Sequence, residues 1–259
     1  MRERLKAGAK RLIKRQLLAG RFPARSFSFG RTRSGDAAVV VMCLWNRPSR
    51  LIDILDLLDA QESTSGVRLY LWNNSRADHA GHLATLRRYS PRGALVGVDI
   101  VRSPFNLGAI ARFYWARHLV LRGYTGPVIV LDDDQNVTPQ FVATALEHYR
   151  PDTLTAWWAF AVGDGGYWDR EHAVPGGRVD YAGTGGMVCN SAIFGDSAFF
   201  TGIPEKFWML DDMWLNHFAG LKGYGLAKLP VEIEFVMHDT NQFHTQIYLK
   251  EEFHEYLSS

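Results

Sequence analysis

The stretch VIVLDDDQNVTP, Val128–Pro139, decides the fold. Four apolar residues, three of them β-branched, run straight into Asp132, Asp133 and Asp134, and Thr138 and Pro139 then signal a helix start. A buried strand that ends in three carboxylates sets them at the edge where open α/β sheets bind ligands. Three adjacent carboxylates repel one another unless a cation sits among them. Alternate residues of an extended segment share a face, so Asp132 and Asp134 can hold one ion together. An all-oxygen donor set of this kind suits Mg²⁺ or Mn²⁺.

Upstream of this stretch, AAVVVMCLW (37–45) reads as a buried strand ending in Asn46, Arg47 and Pro48, with a helix from about Ser49 to Ala60. VRLYLW (67–72) is a second strand, ending in Asn73, Asn74 and Ser75. GALVGVDIV (93–101) is a third, and it leads to Asn106 and Gly108 ahead of a helix that carries Arg112. Strands alternating with helices at this spacing predict an α/β domain with a largely parallel, doubly wound sheet. Polar residues at four successive strand ends predict a nucleotide-sized crevice.

After Pro151 the alternation stops. TLTAWWAF (153–160) reads as one strand, and residues 163–178 as a glycine-rich loop. In VDYAGTGGMVCN (179–190), Gly183, Gly185 and Gly186 are expected to let backbone approach a ligand closely. FWMLDDMWLNHFAGLKGYG (207–225) has helical spacing around Asp211 and Asp212. LPVEIEFV (229–236) reads as a late strand feeding His238 and Asp239, and residues 246–257 as a last helix.

The formal charge of +2 conceals an asymmetry. Residues 1–35 hold eleven Lys or Arg against Glu3 alone, whereas the remainder holds 18 bases against 26 acids. The first 22 residues predict a basic helix able to lie on an anionic membrane surface or to pack on the domain, and residues 23–36 read as a linker. An acidic main domain argues against nucleic acid as a partner. Two cysteines, each in an apolar context, exclude a thiolate metal site and imply no disulfide framework. With no membrane-length apolar run and no signal peptide, the expected location is cytoplasmic, or peripheral at the inner face of the cell membrane.

Taken in order, these residues resemble the GT-A type of nucleotide-sugar-dependent glycosyltransferases, over about residues 37–245. Asp132–Asp134 is similar to the DXD motif of that group, and Asn106–Phe113 to the asparagine–glycine helix start that precedes it. LDDMWL (210–215) resembles the later acidic motif, and VMHD (236–239) the site of a C-terminal histidine. The resemblance implies a Rossmann-like, mostly parallel sheet flanked by helices. Residues 37–150 would form the nucleotide-binding half and 151–259 the acceptor half, behind a basic arm and linker at 1–36.

The resemblance further implies metal-dependent transfer of a hexose from a nucleoside diphosphate sugar, UDP-sugar by default, to a saccharide or other hydroxyl acceptor. Asp134, Asp132 and His238, with His244 as a weaker substitute, are the expected ligands of Mn²⁺ or Mg²⁺, while Asp133 is open to a ribose hydroxyl. Asn46, Arg47, Asn73, Asn106 and Arg112 line the expected nucleotide site, with Arg112 suited to phosphate through its planar fork. Asp212 is the expected base that takes the proton of the attacking hydroxyl, with Asp211 as the other candidate. Trp158, Tyr181, Gly185, Gly186 and Trp208 are assigned to the acceptor, and Trp157 and Trp168 are further candidates for stacking on sugar. The rival readings are a sugar-nucleotide nucleotidyltransferase, which would carry a glycine-rich basic loop where CLWNRPSR stands, and a non-catalytic carbohydrate-binding module.

Overall fold

The computed structural model describes residues 2–22, 25–30, 37–63, 65–165, 168–236 and 247–258. The chain opens with helix α1 (Arg2–Leu18) and strand β1 (Arg25–Phe29). The alternating half follows as β2 (Ala38–Leu44), α2 (Arg50–Asp59), β3 (Val67–Asn73), α3 (His79–Arg88), β4 (Leu95–Arg102), α4 (Phe113–Val120) and β5 (Pro127–Leu131). A short β6 (Gln135–Val137) and α5 (Phe141–Glu147) close that half. The second half holds β7 (Thr153–Ala156), β8 (Ala159–Val162), β9 (Arg170–His172), β10 (Tyr181–Ala182), β11 (Met187–Asn190), α6 (Ala198–Thr201), α7 (Asp211–Leu221), β12 (Gly225–Lys228), β13 (Ile233–Phe235) and α8 (Ile247–Ser258).

Eight strands form the main sheet in the order β1-β4-β3-β2-β5-β11-β7-β12. Six run in one direction, and β1 and β11 run against them. The inner strands are apolar on both faces because both faces are covered. Val39, Val41, Val128 and Val130 point into one core with Phe113, Trp115 and Leu215, while Val40, Met42, Ile129 and Leu131 point into the other with Leu51, Leu55 and Phe141. This alternation follows from the two-residue period of a strand.

The expected parallel sheet is present, but several boundaries differ: β9 lies inside the expected glycine-rich loop, and the late strand expected over 229–236 is confined to β13. TLTAWWAF is two strands, because the Trp157 amide donates to the Gly186 carbonyl at 2.8 Å and the chain then leaves the main sheet. β8 continues in a separate three-stranded sheet with β9 and β10. The expected linker also contains structure, since β1 pairs antiparallel with β4 at the sheet edge.

The basic helix α1 is packed on the domain. Leu17 is fully buried, and Ile13, Leu18 and Phe22 pack against the same core. Burying one such leucine stabilises by roughly 1.5–3 kcal/mol. Phe22 stacks on His118 with ring centroids 4.5 Å apart, and His118 Nδ1 meets the Gly20 carbonyl at 2.7 Å. Arg11, Leu12 and Arg15 stay exposed on the outer side. Among the described residues, no helix is long and apolar enough to cross a membrane.

Candidate active site

Strand β5 delivers Asp132–Asp134 as expected, and the end of β2 closes over them. The Trp45 amide donates to Asp133 Oδ2 at 3.0 Å, and Arg47 Nη1 reaches Asp133 Oδ1 at 2.5 Å and Nη2 reaches Asp134 Oδ2 at 3.1 Å. Asn46 makes this possible with a left-handed backbone, φ 54°, that turns Arg47 back onto the aspartates. Asp133 is buried and both its oxygens are engaged, so it locks two strand ends together rather than facing a ribose. Asp132 keeps 37% of its side chain exposed and Asp134 keeps 21%. These two open onto the crevice.

Arg112 is buried at 2% exposure. Its Nε and Nη2 donate to Asp211 Oδ2 at 3.1 and 3.0 Å, Nη1 to Asp132 Oδ1 at 2.5 Å and to the Leu131 carbonyl at 3.0 Å, and Nη2 to Thr184 Oγ1 at 3.3 Å. A guanidinium has five N–H donors, and four hydrogen bonds together with the Nη2–Asp211 ion pair engage all three of its nitrogens. Arg112 is thus turned onto the chain's own groups. The side chain instead joins the acidic strand end to the acidic helix start, two motifs far apart in sequence.

Asp212 sits half-buried in the first turn of α7. Its Oδ2 accepts the Tyr181 hydroxyl, and its Oδ1 accepts the Met213 amide at 2.8 Å. Tyr181 is 7% exposed, and its hydroxyl is spent on this carboxylate. Asn216 fastens the same turn to β10, donating to the Asp212 and Ala182 carbonyls at 2.8 and 2.6 Å and accepting the Ala182 amide at 2.9 Å.

Several expected contact residues are occupied by the fold. Asn73 is fully buried; its Oδ1 accepts the Ser75 amide at 2.8 Å and its amide meets His79 Nδ1 at 3.1 Å, which makes it a turn cap. Asn106 is exposed, and its Oδ1 caps the Gly108 amide at 2.8 Å. A Cβ on Gly185 would lie 2.5 Å from Asp132 Oδ2 and 2.6 Å from Gln135 Nε2, so the missing side chain makes room for the site's own groups. Gly186, φ 74°, does the same for Ile233. Trp208 is 8% exposed, and Lys14 Nζ covers its ring at 4.3 Å from the centroid while Lys14 and Lys10 pair with Glu205. Trp158 remains half-buried, edge-on to Phe160 and His172. Trp168, 45% exposed, donates its indole N–H to Glu251 at 2.9 Å. His238 and His244 lie outside the described residues.

Two residues to which the sequence alone assigned no role belong to the site. Asn74 accepts the Leu107 amide at 3.2 Å and donates to the Gly108 carbonyl at 3.0 Å, holding the loop before Arg112. The doubled asparagine at a strand end was its only signal. Gln135 is 3% exposed; its Oε1 accepts the Asp132 amide at 3.0 Å, while its buried Nε2 has no partner among the described residues. Such an orphaned donor costs about 1–3 kcal/mol.

Four carboxyl groups, Asp132, Asp133, Asp134 and Asp211, pair with the guanidinium groups of Arg47 and Arg112, and Asp212 follows beside Asp211 on Tyr181. Burial, and then the charge of Asp132, push the Asp134 carboxyl up to about 6. Burial pushes Asp211 up to about 7 against the pull of Arg112. Burial alone would lower the Arg112 pKa, but Asp211 and Asp132 raise it well above its usual value, so the guanidinium stays charged and Asp211 is the titrating partner. Among the described residues no three His, Cys, Asp or Glu side chains are grouped so that they could hold a metal ion. Two open carboxylates in an over-negative crevice nonetheless fit a Mg²⁺-like ion, which takes one or two carboxylates and fills its shell with substrate phosphate and water.

No protein-family model matches the sequence, and no curated protein matches it. Among solved structures, the chain is similar to residues 1–349 of TarS from S. aureus, a glycosyltransferase, with a TM-score of 0.50 and 15% identity. The match covers 74% of this chain and 58% of that one, so the chain spans a little over half the length of the TarS structure. Likeness extends to 112 solved chains, and a fold so widely used does not fix its chemistry.

Proposed function

We propose that the chain is a glycosyltransferase that moves a hexose from a nucleoside diphosphate sugar, UDP-sugar by default, to a hydroxyl acceptor. The observation that carries the proposal is the Arg112 bridge, which sets Asp132 and Asp211 on one guanidinium and so brings the two acidic motifs to a single crevice. Asp132 and Asp134 would hold the divalent ion. When bound, that ion supplies positive charge to the diphosphate oxygens on which negative charge builds up.

The remaining work falls to the chain itself. Arg112 stays charged and fixes Asp132 against the start of α7. Asp212 takes the proton of the acceptor hydroxyl as its oxygen attacks the sugar, and the Tyr181 hydroxyl aims that carboxylate. Arg47, spread across Asp133 and Asp134, sets the metal-binding carboxylate at the mouth of the nucleotide half.

Calorimetric titration with nucleoside diphosphates, each with Mn²⁺, Mg²⁺ or chelator, tests the donor half. One diphosphate should bind only with metal, and Asp134→Ala should abolish that binding. Asp212→Asn should keep the binding and lose transfer. Metal-independent binding, or full transfer by Asp212→Asn, contradicts the proposal.

A further inference from the structure

Beside the acidic turn lies a cavity of about 460 Å³, open to solvent on the surface. Its walls come from Asn136, Thr138, Trp157, Glu232 and Glu234, over a floor of Val137 and Ile233. β6 and β13 pair antiparallel here, with Ile233 opposite Val137 and Phe235 opposite Gln135. Gly186 closes the floor, because a Cβ there would stand 2.3 Å from Ile233 Cδ1 and 3.2 Å from Trp157 Cβ.

The cavity is rigidly connected to the crevice. Buried Arg50 donates to the Asp133 carbonyl at 3.3 Å, the Gln135 carbonyl at 3.4 Å and Asn136 Oδ1 at 2.8 Å. The Val236 amide, just beyond β13, donates to the Asp134 carbonyl at 2.7 Å. One arginine and one strand therefore hold both the metal-binding turn and the cavity wall. From Trp157 an aromatic surface continues through Trp158, 5.2 Å away between centroids, and through Phe235, 5.3 Å from both rings and 37% exposed.

The lining selects its ligand by chemistry. Glu232 and Glu234 are exposed carboxylates that only accept hydrogen bonds when ionised, so the ligand must supply donors. Asn136 has its oxygen committed to Arg50 and its amide only 3.5 Å from Glu234, which leaves one weakly used donor. Among the described lining residues none is a lysine or arginine, Lys228 Nζ stands beside them at 5.8 Å from the Trp157 ring centroid and bonds the Trp157 carbonyl, and two carboxylates repel an anion. A half-buried indole offers an apolar face. Many hydroxyl donors, one apolar face and no negative charge describe a neutral saccharide. The geometry points to a saccharide-binding subsite at this cavity, which holds a neutral glycan acceptor by a unit distant from the one that reacts. The acceptor role rests on the glycosyl-transfer proposal; the binding site does not.

Calorimetry on the full chain separates the two. One arm uses UDP with Mn²⁺. The other uses neutral malto-, cello-, chito- and manno-oligosaccharides, with oligogalacturonate and tetramethylammonium as the charged alternatives. At least one neutral oligosaccharide should bind, Trp157→Ala should weaken it by about tenfold, and Trp157→Phe should recover most of the loss. Glu234→Gln should weaken it too, without a change in thermal midpoint. UDP binding without any neutral saccharide binding overturns the subsite and leaves the glycosyl-transfer proposal standing. Saccharide binding that depends on Trp157, without binding of UDP, leaves the subsite standing and overturns UDP-sugar as the donor. Equal binding by Trp157→Ala, or preference for the uronate or the ammonium ion, also overturns the subsite.

Discussion

Replacing Arg112 by methionine removes the one group shared by both acidic motifs. Asp211 is 3% exposed and draws two bonds from that guanidinium, at 3.0 and 3.1 Å. Breaking one side of a buried pair costs about 3–5 kcal/mol, because the partner charge stays behind. Asp211 can limit the loss by taking a proton, since burial already lifts its carboxyl to about 7 and losing Arg112 lifts it further. A carboxyl whose folded pKa lies above its unfolded value makes the folded state bind the extra proton, so stability falls as pH rises through that window, by about 1.4 kcal/mol per unit. The penalty of Arg112→Met should therefore be larger at pH 8 than at pH 6. Urea unfolding followed by tryptophan fluorescence at both pH values measures it. Turnover should fall by about 10²-fold as the motifs lose register, and Arg112→Lys, which keeps the charge but not the fork, should lie between. A penalty below about 1 kcal/mol at pH 8, or a larger penalty at pH 6, would refute the bridge.

Gly185→Ala puts a Cβ 2.5 Å from Asp132 Oδ2, and it should weaken metal-dependent diphosphate binding by about tenfold in calorimetry; unchanged affinity would mean that Asp132 is not needed where it stands. Tyr181→Phe should lower kcat by about tenfold with the donor KM unchanged, since it frees the Asp212 carboxylate without touching the diphosphate. A rise in donor KM alone would place Tyr181 on the donor instead. Burial lowers the His118 pKa from 6.5, opposed by its bond to the Gly20 carbonyl and assisted by Arg122 and Arg25. The unfolded chain thus binds the extra proton, and stability present above pH 6.5 is lost as the pH falls below it. Urea midpoints across that range should drop, and in His118→Gln they should drop less; parallel curves would show that His118 plays no part.

The sequence by itself determined the sheet and its acidic edge. Strands such as Val39–Met42 and Val128–Leu131 are apolar at every position, which only a sheet covered on both faces can use, and the aspartates follow the last of them directly. The acidic start of α7 was legible for the same reason, as a local pattern of apolar spacing around Asp211 and Asp212. Only the tertiary structure decided what those groups touch. Arg112 read as a phosphate fork and is a buried bridge; Asn73 read as a ligand contact and is a turn cap; the basic arm read as able to lie on a membrane or to pack on the domain, and it contributes Leu17 to the core. Tyr181 read as a sugar platform and holds Asp212, and Asp133 read as open and is locked by Trp45 and Arg47. Periodicity and turn chemistry act over a few residues, whereas Arg112 meets Asp211 across 99 positions. That contact forms only because burial of both cores brings distant strand and helix ends to one place, and a buried charge must then find the nearest opposite charge.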